Sequence, residues 1–387
     1  MSYVDLSPEE ESVVLATFDP IAEMAGTDKT KLDELLRAAA FNDETLRAAI
    51  GDAAGLRPDL GERQTLEERF VVPPFSILDC RQGYWQARKR AWLSLGIESE
   101  VGRSADVGGS RRPAAKASYS GSTARGDGRA RAVEQDDDSK TTGSIFDPVL
   151  CELIYRWFCP PTGVVLDPFA GGSVRGLIAA QLGRRYLGID LSETQVAANQ
   201  VQARALFPKK KDQPNWFVGN SRQLRQVVKP RRKKLEVDLV FSCPPYGDLE
   251  RYSDNFEDLS TMSARDFDLA YRDIIEEAIS CLKTDRFACF VVGDYRAKDG
   301  FYRRLASLTI DAFERCGARL YNYAILIQPA ASLPMMAAKP FEISRKLGKM
   351  HQDVLIFCKG DPKKATAAIG AVEAGGIETE TLGGKIE

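Results

Sequence analysis

The sequence is poor in the residues that build metal sites and disulfide frameworks. His351 is the one histidine among 387 residues, so a zinc site with several histidines is excluded and a Ser-His-Asp triad could form only around it. The eight cysteines contain no C-x-x-C pair, which indicates reduced thiols and no metal knuckle. We therefore expect a cytoplasmic protein without a metal ion.

Long apolar runs are also missing. No stretch approaches the eighteen or so apolar residues that a membrane-spanning helix needs. The first thirty residues lack the basic start and apolar segment of a secretory signal. From these two absences we expect neither a membrane span nor secretion.

An overall excess of positive charge is absent, because 53 Lys and Arg face 55 Asp and Glu. Any surface for nucleic acid must then be local. Residues 209–234 hold ten Lys or Arg and one acid, a pattern that predicts phosphate contacts, with a solvated face as the alternative. The predicted DNA-binding residues in this run are Arg231, Arg232, Lys233 and Lys234.

Composition divides the chain into four parts. Residues 1–102 show helical spacing of apolar residues and a strongly acidic start. Residues 103–143 contain no Leu, Ile, Phe or Met, which predicts a flexible linker or mobile loop. Residues 144–361 form the predicted main domain, and residues 362–387 a C-terminal tail.

One segment of the first part, residues 70–102, interleaves aromatic and basic side chains. The residues concerned are Trp85, Arg88, Lys89, Arg90 and Trp92. Such a face is typical of phosphate-backbone binding. The same spacing also suits a packed helix whose tryptophans are buried and whose Arg and Lys side chains extend into solvent.

Apolar runs alternate with helical patterns from residue 145 onward. The predicted strands are 164–167, 186–190, 216–218, 238–242, 287–292, 323–327 and 353–357, and the predicted helices are 177–182, 193–206 and about 264–282. This alternation predicts an α/β fold with a doubly wound, mostly parallel, Rossmann-like sheet. A helical N-terminal region and a flexible linker precede it.

A glycine-rich turn follows the first predicted strand. Gly171 and Gly172 allow the backbone to turn sharply and to approach a ligand closely. Asp190, at the end of the next strand, could accept hydrogen bonds from a ribose diol. The pattern therefore favours an adenosine-like cofactor, although it is not the G-x-G-x-x-G spacing and a turn that only closes the fold is the alternative.

A second turn, Cys243-Pro-Pro-Tyr246, ends the strand at 238–242. Its two prolines fix φ and remove two N–H donors, so we expect a stiff turn at the carboxyl edge of the sheet. Tyr246 on such a turn could stack on a planar ring. The alternative is a strand-ending turn with a buried tyrosine.

Together the two turns resemble those of the S-adenosylmethionine (SAM)-dependent DNA methyltransferases of the N4-cytosine and N6-adenine group, including methylases carried by bacteriophages. The resemblance runs from about residue 145 to 360 and implies SAM as cofactor, DNA as partner and a bacterial or phage-infected cell. It implies that SAM is bound by Phe146, Asp147, Asp167, Phe169, Gly171, Gly172, Asp190 and Asn220. It implies that the base is bound by Cys243, Pro244, Pro245 and Tyr246. The strand at 351–360 resembles the closing strand of this family's fold.

Cys243 departs from the family, which has Asp, Asn or Ser at this position. Sulfur is a poor hydrogen-bond acceptor, whereas a thiolate is a good nucleophile that can add to C6 of cytosine. The cysteine therefore favours C5 methylation of cytosine slightly over methylation of an exocyclic amine, which remains the alternative because Cys is nearly isosteric with Ser. Glu250 is a candidate for contacting the base, with a solvated loop carboxylate as the alternative.

Three other functions fit parts of the pattern. A nicotinamide-dependent dehydrogenase would use the Gly-rich turn and Asp190, but it has no use for Cys-Pro-Pro-Tyr. An RNA methyltransferase would share the fold and the SAM turn. A non-catalytic binding subunit would keep the basic run and lack SAM affinity. The oligomeric state and the recognition sequence stay open.

Overall fold

The computed structural model describes residues 65–97, 146–228, 234–249, 252–297, 299–331 and 333–375. The chain divides into two compact units, Met1–Arg69 and Phe70–Glu387. In the described part of the first unit, Thr65 and Glu68 exchange hydrogen bonds across the first turn of helix α1 (Leu66–Phe70). This reciprocal pair satisfies N–H groups that a helix start leaves open. The predicted linker at 103–143 lies outside the described residues.

The second unit is built on an eight-stranded sheet in the order β1-β9-β10-β6-β5-β2-β3-β4. The strands are β1 (Ile77–Asp79), β2 (Val164–Asp167), β3 (Arg185–Asp190), β4 (Asn215–Val218), β5 (Val237–Ser242), β6 (Leu282–Val292), β9 (Ala318–Ile327) and β10 (His351–Lys359). A separate two-stranded hairpin pairs β7 (Tyr295–Arg296) with β8 (Tyr302–Arg303). In the large sheet, β10 runs antiparallel to both neighbours and the other pairs are parallel. The predicted doubly wound, mostly parallel sheet is confirmed.

Helices cover both faces of this sheet. They are α2 (Gly83–Leu93), α3 (Pro148–Phe158), α4 (Val174–Gln181), α5 (Glu193–Leu206), α6 (Leu224–Val228), α7 (Ala264–Cys281), α8 (Leu305–Arg315), α9 (Leu333–Met336), α10 (Ala338–Ser344) and α11 (Pro362–Ile369). Alternate residues of β2, β3, β6 and β10 belong to two separate buried clusters, as the period of a strand requires. Helices α2 to α5 and α11 pack on one cluster, and α6 to α8 pack on the other. No helix in the described ranges has the length and apolar character to cross a membrane.

The central strands are buried on both sides. All six residues of β5 are buried, which is the near-continuous apolar run typical of a parallel strand covered by helices. Helix α7 is capped by Ser263, whose hydroxyl accepts the backbone N–H of Asp266, and it buries an apolar stripe that includes Phe267, Tyr271 and Ile275. The predicted helix at 264–282 is therefore found where its spacing placed it.

Residues 70–97 do not belong to a separate N-terminal region, so the predicted boundary at residue 102 needs correction. Strand β1 pairs in parallel with β9, and the compact unit begins at Phe70. Trp85 and Trp92 of α2 are fully buried, so the packed-helix alternative describes this segment. The exposed aromatic–basic face that would have bound phosphate is not formed here, because its rings are in the core.

The predicted C-terminal tail also needs correction at its start. Asp361 accepts the N–H groups of Lys363 and Lys364, and Pro362 occupies the first helical turn of α11. Ala365 and Ile369, one turn apart, are buried against the sheet. The domain therefore extends at least to Ile369.

Candidate active site

The strand order places a crevice between β2 and β5. These two parallel strands are neighbours, and from them the chain continues outward in opposite directions, through β3 and β4 on one side and through β6 on the other. At such a reversal the connections leave an opening at the carboxyl ends of the strands. We call the edge of the sheet formed by these ends the site edge. The Gly-rich turn (residues 167–173) and the Cys-Pro-Pro-Tyr turn (residues 243–246) both lie there.

The Gly-rich turn is held by backbone and side-chain hydrogen bonds. The N–H of Gly171 donates to Asp190 Oδ2 at 2.8 Å, and Asn199 Nδ2 donates to the Gly171 carbonyl at 2.8 Å. Gly171 has a φ of +50°, a conformation that favours glycine. A Cβ added to Gly171 would meet no atom within 4 Å. One face of a rigid turn is therefore open toward the crevice.

Asp167 is fully buried and uses both carboxylate oxygens. Oδ2 accepts Arg175 Nε at 2.6 Å and the Tyr186 hydroxyl at 2.6 Å. Oδ1 accepts the Ser242 hydroxyl and the N–H of Phe169. Four donors fill the usual acceptor positions of a carboxylate. Asp167 therefore holds the Gly-rich turn in shape, and its predicted contact with SAM would act through that turn.

Ser242 connects the two turns directly. Its hydroxyl donates to Asp167 and also accepts the N–H of Phe169 at 3.2 Å. Ser242 is the last residue of β5 and is directly followed by Cys243, the first residue of the Cys-Pro-Pro-Tyr turn. The Phe169 ring packs against Tyr271 and Phe290, at centroid distances of 5.9 and 6.2 Å, and anchors the turn in the core.

Asp190 ends β3 at the same edge. Its two oxygens accept the N–H groups of Gly171 and Ser192, each at 2.8 Å, which leaves each oxygen one further acceptor position. Burial raises the pKa of Asp190 above its ordinary value, and the two backbone hydrogen bonds work in the opposite direction. This geometry suits a carboxylate that receives a diol.

The loop after β4 brings Asn220 to the same crevice. Ser221 donates to the carbonyl of Pro168 at 2.6 Å, and Gly219 N–H donates to the carbonyl of Asp190. The Asn220 amide accepts the N–H of Arg222 and donates to Glu257 at 2.9 Å. The loop is thus joined to the Gly-rich turn, and Asn220 retains one amide hydrogen for a ligand.

Phe146 and Asp147 stand at the start of α3. Arg175 lies 4.6 Å above the Phe146 ring, which also contacts Phe241 edge-on. Asp147 caps α3 by accepting the N–H groups of Val149 and Leu150. It also accepts Trp85 Nε1 and pairs with Lys89 at 3.2 Å, so α2 is fastened to α3 here. Arg175 connects the Phe146 ring to the Gly-rich turn, whereas the carboxylate of Asp147 is occupied by contacts within the fold.

The Cys-Pro-Pro-Tyr turn holds a half-buried thiol beside a phenol. Cys243 Sγ lies 3.8 Å from the Tyr246 hydroxyl. Burial raises the pKa of Tyr246 well above its ordinary value, so this hydroxyl stays protonated at neutral pH. Pro244 is buried, and Tyr246 packs partly against the core.

Two glutamines that sequence reasoning missed support Tyr246. Gln352 Nε2 donates to the Tyr246 hydroxyl at 2.7 Å, and Gln328 Nε2 donates to Gln352 Oε1 at 3.0 Å. Gln352 lies at the amino end of β10, which reaches the site edge because this strand is antiparallel. The one available signal was its position beside His351, in the strand that resembles the family's closing strand.

The described end of the basic run, Lys234, lies away from the site. Lys234 precedes β5, so it lies at the opposite edge of the sheet, about 20 Å from the site edge by the length of a six-residue strand. Arg222 and Arg225 pair with Asp273 and Glu277 of α7. Contact of this run with DNA stays a prediction. Arg231, Arg232 and Lys233, like Glu250, lie outside the described residues.

A sequence model of a family described as DNA methylase, N6_N4_Mtase, matches residues 145–201. The matched segment includes the Gly-rich turn and Asp190. Over this segment the chain is related to the N4-cytosine and N6-adenine DNA methylases. This confirms the relation predicted from the two turns, and the family uses SAM, the predicted cofactor. No curated protein matches the chain.

Solved structures similar to the chain include methyltransferases of several kinds. TrmN from Thermus thermophilus is 17% identical with a TM-score of 0.37, over 55% of this chain and 49% of that one. A putative RNA methyltransferase from Pyrococcus horikoshii is 16% identical with a TM-score of 0.35, over 55% and 82%. Magnesium protoporphyrin IX methyltransferase from Synechocystis, with bound SAM, is 12% identical with a TM-score of 0.33, over 55% and 79%. This chain thus spans about half the length of TrmN.

The residues at the site edge fit the cofactor of the DNA methylase family. The open face at Gly171 leaves room for close approach, and Asp190 offers acceptors for a diol. Helix α4 starts directly after the turn, and its cap residue Ser173 donates to Gln202 and makes no cap bond to the helix. Among the described residues, no three His, Cys, Asp or Glu side chains cluster to hold a metal ion.

Proposed function

We propose that the protein is a SAM-dependent methyltransferase that modifies a base in DNA. The observation that carries this proposal is the pairing of β2 with β5, which brings a turn suited to SAM and a turn suited to a planar base to one edge of the sheet. Ser242 bonds to both Asp167 and Phe169, so the two turns keep a fixed relation. The match of residues 145–201 to the DNA methylases supports DNA as the substrate.

In this function the residues that would bind SAM are already held in position before SAM binds. Asp190 would accept the ribose hydroxyls, Asn220 would meet the adenine, and the Gly171 face would border the methionyl part. SAM, when bound, supplies an electrophilic methyl group. The hydrogen bonds to Gly171 from both sides keep the turn from rearranging, which lowers the entropic cost of binding.

The substrate half would receive a base that has left the helix. A base inside a duplex cannot bring its reacting atom to the cofactor, so it must be extruded. Tyr246 would stack on the extruded ring, held by Gln352 through its hydroxyl. Pro244 and Pro245 have no N–H, so this stretch presents carbonyl acceptors without competing donors. Acceptors without donors suit an exocyclic amine.

We therefore propose the exocyclic amine of cytosine or adenine as the methyl acceptor. The family match supports this choice, whereas Cys243 by itself slightly favours C5. The amine nitrogen would use its lone pair to bond the methyl carbon that SAM supplies, with S-adenosylhomocysteine as the leaving group, and would then lose a proton to water. In this reaction the thiol of Cys243 only lines the pocket.

Methylation at C5 of cytosine is a second candidate, favoured by one observation. The half-buried thiol of Cys243 lies at the site edge, with its sulfur 3.8 Å from a protonated phenol that can donate to a thiolate. In this reaction the sulfur adds to C6, C5 takes the methyl group, and loss of the C5 proton expels the sulfur. The two candidates differ in whether a covalent adduct with DNA forms.

Mass spectrometry of nucleosides tests both the function and the acceptor atom. The full chain is incubated with SAM and either duplex DNA or structured RNA, and the digested nucleosides are analysed. We expect N4-methylcytosine or N6-methyladenine from DNA. 5-Methylcytosine would select the second candidate, and methylated RNA with unmodified DNA would reject DNA as the substrate.

Two cysteine variants sharpen this experiment. Cys243→Ser should retain methylation of an amine, because the hydroxyl is nearly isosteric and no adduct is needed. The same variant should abolish methylation at C5, which requires the thiolate. Cys316→Ser, a half-buried cysteine at the end of α8, serves as the matched control and should behave like the unmodified protein.

A further inference from the structure

A small hairpin at the site edge carries an exposed phenylalanine at its tip. Strands β7 and β8 follow the carboxyl end of β6, and Phe301 lies in the turn between them. Its side chain is 76% exposed, and that of the adjacent Tyr302 is 44% exposed. A single exposed apolar residue is ordinary, so its surroundings decide whether it has a role.

The described residues of the hairpin turn are joined by hydrogen bonds, although the hairpin is short. Ala297 N–H donates to the carbonyl of Phe301, and Gly300 N–H donates to the carbonyl of Ala297, both at 2.9 Å. Asp299 accepts the N–H of Phe301 at 3.0 Å, and Gly300 has a φ of +89°, which suits glycine. The ring of Phe301 therefore projects from a bonded turn.

The hairpin is also packed directly against the Cys-Pro-Pro-Tyr turn. Gly293, two residues before β7, lies beneath the Tyr246 ring, since a Cβ added there would be 3.4 Å from it. Tyr295 of β7 packs so closely on Gly247 that a Cβ at this glycine would overlap its hydroxyl. A displacement of the hairpin would therefore displace Tyr246, the residue that would stack on the base.

Charge around the hairpin suits a polyanion. The Arg296 guanidinium lies 4.2 Å over the Tyr302 ring and donates to the carbonyl of Gly300. Lys346 approaches the tip, because a Cβ added to Gly300 would lie 3.5 Å from its Nζ. Arg304, next to β8, is exposed. Arg296 and Lys346 are partly exposed, and basic side chains beside exposed aromatic rings are typical of surfaces that bind nucleic acid.

Another exposed phenylalanine, Phe256, fits DNA less well. It is 84% exposed, but it lies on a loop with Asp254, Glu257 and Asp258, which would repel phosphates. The described part of this loop is connected to Asn220 through Glu257, on the cofactor side of the crevice. Phe301 therefore suits contact with DNA better than Phe256 does.

We propose that Phe301 is a wedge that enters the base stack of duplex DNA and occupies the space left by the extruded base. This inference rests on the proposed function and adds the residue that keeps the duplex open. An apolar ring inserted at a base step compensates part of the lost stacking. Arg296 and Lys346 would hold the phosphates beside the opened step.

The test compares Phe301→Ala with the unmodified chain on three DNA substrates of one sequence. They are the intact duplex, a duplex with a mismatch at the target base, and the single strand. We expect initial methylation rates to fall about ten-fold or more on the intact duplex, the factor of one aromatic–base stack. The loss should be much smaller on the mismatch and the single strand, where little stacking must be broken. Phe301→Trp should restore most of the rate on the duplex.

Phe75→Ala is the matched control. Phe75 is 62% exposed and precedes β1, at the edge of the sheet opposite the site, so its removal should leave all three rates unchanged. An equal loss on all three substrates for Phe301→Ala, or no loss on the duplex, would overturn the wedge. So would a duplex-specific loss in Phe256→Ala with Phe301→Ala unaffected. Absence of DNA methylation by the unmodified chain would instead reject the proposed function and the wedge with it.

Discussion

Ser242 is the most informative single side chain for the coupling of the two turns. It is fully buried, donates to Asp167 Oδ1 and accepts the N–H of Phe169. Ser242→Ala removes a hydroxyl and adds no atoms, so the backbone of β5 can stay as it is. The change breaks the side-chain connection between the end of β5 and the Gly-rich turn.

The expected loss of stability follows from these contacts. A hydrogen bond to a charged group contributes about 1.5–3 kcal/mol, and the void left by one oxygen is too small to add much. Phe169 N–H keeps Asp167 Oδ1 as a partner at 3.1 Å, so no backbone donor is orphaned. We therefore expect the free energy of unfolding to fall by about 2 kcal/mol. For a domain of this size that corresponds to a Tm lower by roughly 4 °C.

Urea denaturation and calorimetric titration with SAM measure the two consequences. SAM affinity should fall as well, because Asp167 holds the turn that borders the cofactor. Ser280→Ala is the control: Ser280 donates to the carbonyl of Glu277 within α7, so its removal should cost only a few tenths of a kcal/mol. A Ser242→Ala protein with unchanged stability and unchanged SAM affinity would refute the coupling of the two turns through Ser242.

Three further variants probe the rest of the site. Asp190→Asn should weaken SAM binding and remove the pH dependence of SAM affinity. Burial raises the pKa of Asp190, so in the unmodified protein SAM affinity should fall on acidification at a higher pH than for an ordinary aspartate. Titrations across pH that show the same curve for both proteins would remove Asp190 from the ribose site. Gly171→Ala should lower the free energy of unfolding by about 1 kcal/mol, because φ at this residue is positive. The free energy of SAM binding should weaken by more than this, because the new Cβ enters the open face. Equal SAM affinity would show that no ligand approaches this face. Gln352→Leu should raise KM for DNA with unchanged SAM affinity, since it releases the Tyr246 hydroxyl. Steady-state kinetics that show a shift in SAM affinity alone would contradict this role.

The main sheet was predictable because its strands are buried on both faces. The run 287–292 is apolar throughout, the run 238–242 is apolar between Asp238 and Ser242, and the flanking helices show clear spacing. Strand β1 escaped prediction because it has three residues and follows Pro73 and Pro74, so its pairing with β9 depends on a partner about 250 residues away. Helix α11 had a usable signal in Asp361-Pro362 and the spacing of Ala365 and Ile369.

The site was predictable only where a motif carries it. The turns at 167–173 and 243–246 are visible locally, and the rule for doubly wound sheets places them together. The support of Tyr246 by Gln352 joins residues 106 apart, and nothing local marks it. The location of Lys234 could have been predicted, because a residue that precedes a parallel strand lies at the end away from the ligand. The predicted phosphate contacts of the basic run rested on its charge, which does not indicate where the run lies relative to the site edge.

The antiparallel strand β10 has a consequence for how the protein reaches its native state. It is inserted between β6 and β9, although it is the last strand of the sheet to be synthesised. Until it emerges from the ribosome, β6 presents an unpaired and apolar border, and β9 with its partner β1 has nothing to join. Closure of the sheet must therefore await the synthesis of residues 351–359, so we expect slow folding and a period in which nascent chains depend on protection from self-association.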